Sequence, residues 1–318
     1  MNYGELLSEA FRLTWRNRFL WFFGFFVSGG ASFNVPSTNF GGPQTGGGAF
    51  GFRYPGPLQW ISENLVLILT LVIALVVVIA LVFILLAMLS HGALVESVTA
   101  LHRGEPRRFG SAWRAGTANF WRVLGLKILI FLIALGLAIL VLLPVGLGVA
   151  VVLAATDSAG LRVLFIVLLI LVGILALILV FLPFAIINQF ALRELVMGRR
   201  RILESIGGGF GLFRRNIGRS LLVWLLQLAV MLGLGVATLV VVVILGAILL
   251  GPAIALFAAE QTAVAIVVGI IGGLLFLVPL FVISGALGAF NHTYWTLAYL
   301  RLIDYPEGSE PAQQARAA

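Results

Sequence analysis

Three small groups of polar side chains interrupt an otherwise apolar chain: Ser90, His91 and Glu96; Asn188, Gln189 and Glu194; Asn291, His292 and Tyr294. Imidazole, amide and phenol groups in such surroundings suit three tasks: relaying a proton, ligating a metal, or hydrogen-bonding a polar solute in a cavity. A metal needs closely spaced ligands, and His91 and His292 with a glutamate show neither HxxxH nor ExxH spacing. An ion-coupled pump needs charge in the hydrocarbon region, which is nearly empty of it; Lys127 sits close enough to the inner surface to snorkel. No serine nucleophile elbow, paired catalytic carboxylates or kinase-like set is present, so the residues point to no enzyme, no cofactor and no metal. His91, Asn188, Gln189, Asn291, His292 and Tyr294 remain as candidate lining of an inward-facing cavity. The plainer reading of the same residues is interhelical hydrogen bonding, or polarity at headgroup level. Gln227 reads as the same kind of glue.

Arginine carries the second chemistry. Of 20 basic residues all but Lys127 are arginine, and 18 lie beside predicted span ends. The flat, multi-donor guanidinium suits lipid phosphate. Arg12 and Arg16, then Arg107, Arg108, Arg114 and Arg122, then Arg199, Arg200, Arg201, Arg214, Arg215 and Arg219 are therefore the predicted contacts to anionic lipid. A formal charge of +8 and a pI near 11.0 would also suit nucleic acid. That partner is excluded because no separate basic domain exists. The absence of cysteine excludes disulfides, thiolate metal sites and lipoprotein-type acylation.

The elements that must position these groups follow from the stretch 198–219. Leu203, Ile206, Phe210 and Phe213 recur at helical spacing, with Glu204, Arg214 and Arg215 mainly off that face, which predicts an amphipathic helix lying in the membrane surface. A shift of 199 positions aligns Glu5 with Glu204, Phe11 with Phe210, Leu13 with Leu212 and Arg16-Asn17 with Arg215-Asn216. A shift of 93 aligns Arg107-Arg108 with Arg200-Arg201, Gly116 with Gly209 and Arg122 with Arg215. The pattern reads as a threefold repeat, 1–97, 98–195 and 196–303, each unit a surface helix, an outward span and a return span. In the first surface helix Tyr3, Leu6, Leu7, Ala10 and Phe11 share one side; Glu5, Glu9, Arg12 and Arg16 share the other.

With 61% hydrophobic and 10% charged residues and a mean hydropathy of +1.14, the chain cannot supply the polar coat of a soluble domain. It reads as an all-helical, six-span membrane domain, residues 1–305. The first span, from Phe19, has only about ten strongly apolar residues where a helical crossing needs about 20. A cleaved secretory signal is disfavoured there by two glutamates and an amphipathic pattern before the run. Residues 64–95, 128–156, 163–192, 220–250 and 262–300 supply the others, with a tight turn at 157–162 and the fifth span stopping at Gly251-Pro252. The last is too long for an untilted crossing. Threaded with a cytoplasmic N-terminus, inner segments hold 18 of the basic residues and outer ones only Arg53 and Arg162. That threading places both termini on the cytoplasmic side. The glycine- and proline-rich stretch 29–63 reads as an outer loop in which GGPQTGGGAFG lacks the lysine and following serine or threonine of a phosphate cradle, and the polar tail 306–318 as disordered. Asn291-His-Thr, formally a sequon, falls at an inner span end.

The runs GELLSEAFRLTWRNRFLWFFG, LHRGEPRRFGSAWRAG and GRRRILESIGGGFGLFRRN resemble, over residues 1 to about 303, a broad group of bacterial integral membrane proteins. That group includes the membrane domain attached to some glycerophosphoryl diester phosphodiesterases. The resemblance implies a polytopic, mostly six-span bundle without an activity of its own. The soluble phosphodiesterase domain, with its acidic and histidine metal ligands, has no counterpart here, so no catalytic residue carries over. The expected function is a membrane scaffold or accessory protein engaging anionic lipid; the alternative is a transporter or flippase of a lipid-like or small amphipathic solute.

Overall fold

A computed structural model of the chain describes residues 2–29 and 64–304. Eight helices and no strand occur among the described residues: α1 (Tyr3–Arg16), α2 (Phe19–Gly29), α3 (Leu65–His102), α4 (Phe109–Ala155), α5 (Ala159–Met197), α6 (Ile202–Arg215), α7 (Ile217–Ala258) and α8 (Thr262–Asp304). Five of them, α3, α4, α5, α7 and α8, are long and apolar enough to cross a membrane, the pattern of a multi-pass membrane protein. Lipid offers no partner for a free N–H or C=O, which is why such runs close every backbone bond within one helix. The expected outer loop and the polar tail lie outside the described residues.

The buried core is confined to one end of the bundle. Residues 186–196 of α5, 289–302 of α8, 87–100 of α3 and the first turns of α4 pack there against α1, α2 and α6. Towards the other end, α3, α4, α5, α7 and α8 expose rows of leucine, valine and isoleucine, and their most apolar stretches bury almost nothing. Apolar surface of this extent has no stable place except against acyl chains.

Helix α2 is the short element of the set. Its 11 residues span about 16 Å at ~1.5 Å per residue, roughly half a hydrocarbon core of ~30 Å. It compensates by very close packing on α8. A Cβ at Gly24 would overlap the carbonyl oxygen of Gly285, one at Gly285 the carbonyl of Trp21, and one at Gly288 the carbonyl of Gly24. Only glycine lets the two backbones approach so closely. Ser28 Oγ adds hydrogen bonds to the carbonyls of Gly24 and Ser284, each 2.9 Å long.

Where the chain changes direction, the local cause is visible in sequence. Asn17 separates α1 from α2 and Asn216 separates α6 from α7. Each donates its side-chain amide to the carbonyl four residues back, Leu13 at 2.9 Å and Leu212 at 3.3 Å. The two joints fall at positions that the shift of 199 aligns. The position aligned with them in the middle copy is Val123, which has no such group, and there α4 runs unbroken from Phe109 to Ala155. The predicted third surface helix is therefore not a separate element: it is the beginning of α4. Two further boundaries differ from expectation. Helix α5 already starts at Ala159, so the turn covers only 156–158, and Arg162 folds back to donate Nε to the Thr156 carbonyl at 3.1 Å. Helix α7 passes through Pro252 to Ala258, since a proline forfeits one hydrogen bond whereas ending the helix in lipid would free several groups.

Helices α1 and α6 use their faces differently from the sequence reading. In α6 the stripe against the bundle is Ser205, Gly209, Leu212 and Phe213, with Gly209 set tightly on the backbone of Ala191. Leu203 and Phe210 remain exposed. In α1, Leu6, Ala10 and Thr14 are buried, while Phe11 and Trp15 stack on each other outside, their ring centroids 5.5 Å apart. Leu6 and Ala10 share a core cluster with Tyr294, Trp295, Ala298 and Leu302 of α8.

Candidate functional site

The predicted arginines all lie at the packed end of the bundle, because every one of them is on α1, on α6, or within the first or last turns of a long helix and the turns beside it. Arg12, Arg16, Arg108, Arg114, Arg199, Arg200, Arg201, Arg214 and Arg215 are exposed, and Arg107, Arg122 and Arg219 are half-buried. Several also hold backbone. Arg122 Nη2 donates to the Arg200 carbonyl at 2.6 Å, tying α4 to the start of α6, and Arg200 pairs with Glu194 at 3.6 Å. The Arg201 N–H donates to Glu204 Oε2 at 3.2 Å, closing the first turn of α6.

Four of the arginines converge. Between the end of α3, the start of α4 and the end of α5 lies an open pocket of about 550 Å³, lined by Arg103, Arg107, Arg122 and Arg199 with Glu96, Glu105 and Asn119. Two glutamates face four guanidiniums, so the pocket is electropositive. Arg107 is only loosely engaged, 3.9 Å from Glu96 and 3.7 Å from Glu105, and Asn119 holds Glu96 from the other side at 3.0 Å. Arg199 is held in the left-handed region, φ 49°, which turns the chain at the end of α5 and brings its side chain to the pocket rim. Arg103 was not among the predicted contacts, although the His-Arg-Gly end of α3 is the signal that could have found it.

The candidate cavity residues divide into two sets. His91 and His292 do meet, their ring centroids 5.0 Å apart. Gln189 joins them through Arg193: Arg193 Nη1 donates to the Gln189 carbonyl at 2.8 Å and to Gln189 Oε1 at 2.5 Å, and Nη2 donates to the His292 carbonyl at 3.4 Å. Asn291 and Tyr294 turn instead to α7, where Asn291 Oδ1 accepts from Gln227 at 2.7 Å and Tyr294 donates to the Val223 carbonyl at 2.7 Å. These are interhelical bonds of the plainer kind. Asn188 joins neither set, and its Oδ1 is buried without a partner.

Arg193, near the end of α5, is a buried charge not singled out from the sequence. Its side chain has no solvent exposure. The i, i+4 spacing of Gln189 and Arg193 was the available signal, since it puts both on one face of α5. Among the described residues no group of three or more His, Cys, Asp or Glu side chains could hold a metal.

A third constellation ties the chain's ends together. Glu9 of α1 accepts from Arg301 Nη2 of α8 at 2.9 Å and lies 2.7 Å from His102 Nδ1 at the end of α3, while Arg301 Nη1 donates to the Asn2 carbonyl at 3.0 Å. Burial pushes the Glu9 carboxyl up, but the His102 ring and the Arg301 guanidinium outweigh it and hold the group below the usual carboxylate range. From the sequence Glu9 shares the polar side of α1 with Glu5, Arg12 and Arg16; its partners on α3 and α8 come only from the tertiary structure.

No curated protein and no solved structure matches this chain. Residues 13–305 match the model of a family of unknown function, DUF7544, a span that takes in all five long helices and most of the arginine-lined end, and the chain belongs to that family.

Proposed function

We propose that this is a non-enzymatic scaffold or accessory protein of the bacterial inner membrane that engages anionic lipid headgroups at its cytoplasmic face. The observation that carries the reading is the electropositive pocket of Arg103, Arg107, Arg122 and Arg199, open at the end of the bundle where all the short helices gather. A phosphodiester offers the charge and the acceptor oxygens that guanidiniums bind best. Leu203 and Phe210 on α6 and Phe11 and Trp15 on α1, all exposed, would sit among acyl chains beside it.

Six crossings with both termini cytoplasmic remain the threading we favour. Phe22 and Phe23 meet Phe109 at the start of α4, whereas Phe25 and Phe26 meet Phe83, some 19 residues before the end of α3. Helix α2 thus carries the chain away from the arginine-rich end and α3 brings it back, which supports counting α2 in the first of six crossings. The matched Asn17 and Asn216 joints support an ancestral repeat of which the middle copy lost its break.

The test is reversal of charge in the pocket. The triple variant Arg103→Glu, Arg107→Glu, Arg199→Glu, in nanodiscs of phosphatidylcholine doped with phosphatidylglycerol, should lose its enrichment of phosphatidylglycerol. An enrichment unchanged from that of the parent protein would end the proposal. A second reading, a transporter or flippase of a lipid-like or small amphipathic solute, is favoured by the meeting of His91, Gln189 and His292 inside the bundle. Movement of a fluorescent lipid between leaflets of proteoliposomes, abolished by His292→Ala, is its measure.

A further inference from the structure

The interior of the bundle holds more positive charge than its own side chains neutralise. Arg193 is fully buried, yet among the described residues neither it nor Lys127 has an ion-pair partner. Arg193 satisfies its Nη atoms on Gln189 and His292, but its Nε has no partner. The carboxylate next to it in sequence, Glu194, pairs with Arg200 instead, at 3.6 Å. Lys127 of α4 is half-buried, in a stretch whose Val123, Leu126 and Ile130 pack against Ala191, Leu192 and Leu195 of α5, on either side of Arg193 in sequence. His91 and His292, 5.0 Å apart, each keep a buried Nδ1 without a partner.

A fully buried guanidinium is strongly unfavourable unless a counter-charge joins it. Hydrogen-bonding to neutral amide and carbonyl oxygens, as Arg193 does, stabilises the guanidinium but leaves its charge. The donors come from four helices, α3, α4, α5 and α8, and therefore approach from different directions. That array suits a compact oxyanion with several acceptor oxygens better than a planar carboxylate.

We propose that the meeting point of His91, Lys127, Arg193 and His292 is a binding site for a phosphate-type oxyanion, taken up either as the free ion or as the headgroup of a lipid. Arg193 and Lys127 supply the charge, and the two imidazoles supply further donors. The site stands apart from the arginine pocket: Glu96, Arg122 and Arg199 lie about one to two helical turns nearer the helix ends than His91, Lys127 and Arg193. Between them Val95, Val123, Leu195 and Val196 form an apolar cluster.

The experiment uses the full chain in phosphatidylcholine nanodiscs in chloride buffer, with inorganic phosphate titrated in one arm and phosphatidic acid added to the bilayer in the other. The readouts are the melting midpoint and bound phosphate or lipid. A saturable response to inorganic phosphate identifies the free ion, and a response to phosphatidic acid alone identifies a headgroup. In either case Arg193→Gln and Lys127→Gln should each weaken the apparent affinity about tenfold, the usual effect of deleting one charged hydrogen-bond donor. In the background of the pocket variant Arg103→Glu, Arg107→Glu, Arg199→Glu the same weakening, about tenfold, by Arg193→Gln or Lys127→Gln should persist, which separates failure here from failure of the headgroup pocket. If Arg193→Gln does not fold, Lys127→Gln at its half-buried position carries the same comparison. Absence of a saturable response in both arms overturns the proposal. So does an equal response in the parent protein and the Lys127→Gln variant, or a Lys127→Gln variant that is simply more stable than its parent in every condition.

Discussion

Glu9 and Arg301, 292 positions apart in the chain, meet at 2.9 Å, and this contact fastens the first helix to the last. His102 approaches the same carboxylate from α3 at 2.7 Å. One acidic side chain thereby ties together three helices that also share buried apolar contacts beneath it.

Because Glu9 is held below its ordinary value of 4.5 in the folded protein, the ionised carboxylate stabilises the fold at neutral pH. That contribution is fully present above the ordinary value and is lost as pH falls through the lowered one. Acidification from pH 7 to pH 3 should lower the melting midpoint of the parent protein more than that of Glu9→Gln. The variant should lose about 1 kcal/mol at pH 7, modest because both partners are partly open to solvent. Parallel melting curves across that range would refute the assignment.

Gly24 and Gly285 should tolerate nothing larger. At each, an added Cβ would meet a backbone carbonyl, which no rotamer change can move aside. Gly24→Leu or Gly285→Leu should cost about 3 kcal/mol or more, at or beyond the upper end for overpacking. Ser28→Ala, which removes only a hydroxyl hydrogen-bonded to Gly24 and Ser284, should cost about 1 kcal/mol. Thermal unfolding of the three variants in one detergent tests the order.

Arg199 has an unfavourable backbone conformation for a residue with a Cβ. Arg199→Gly should raise stability by about 1 kcal/mol, since glycine occupies that region without strain. The same change removes one of four guanidiniums from the pocket and should weaken the preference for anionic lipid. A variant both more stable and less selective, measured by melting and by lipid enrichment, separates charge from folding at this position.

The chain contains no cysteine, so single-cysteine scanning needs no background removed. With the arginine-rich end inside, Ser158→Cys and Gln261→Cys at the two opposite turns should react with a membrane-impermeant maleimide in intact cells, while Ser111→Cys and Gly207→Cys should react only after lysis. The reverse pattern would invert the threading.

Much of this was legible in the amino acids because it depends on neighbours in sequence. Long apolar runs form helices wherever the surroundings deny water to the backbone, arginine gathers at their ends, and Asn17 and Asn216 break the chain by bonding to carbonyls four residues back. The unbroken α4 departs from the separate surface helix expected there, with Val123 standing where Asn17 and Asn216 break the chain elsewhere. Tertiary structure alone decided which faces meet. The spanning helices are apolar on every side, so periodicity cannot say which flank of α3 turns His91 to His292, or that α5 buries Arg193 and not Glu194. Those choices come from close approach at glycines such as Gly24 and Gly285 and from contacts across nearly the whole chain, Glu9 with Arg301 among them. Hydropathy is a property of segments, whereas burial of a particular charge is a property of how the segments are packed.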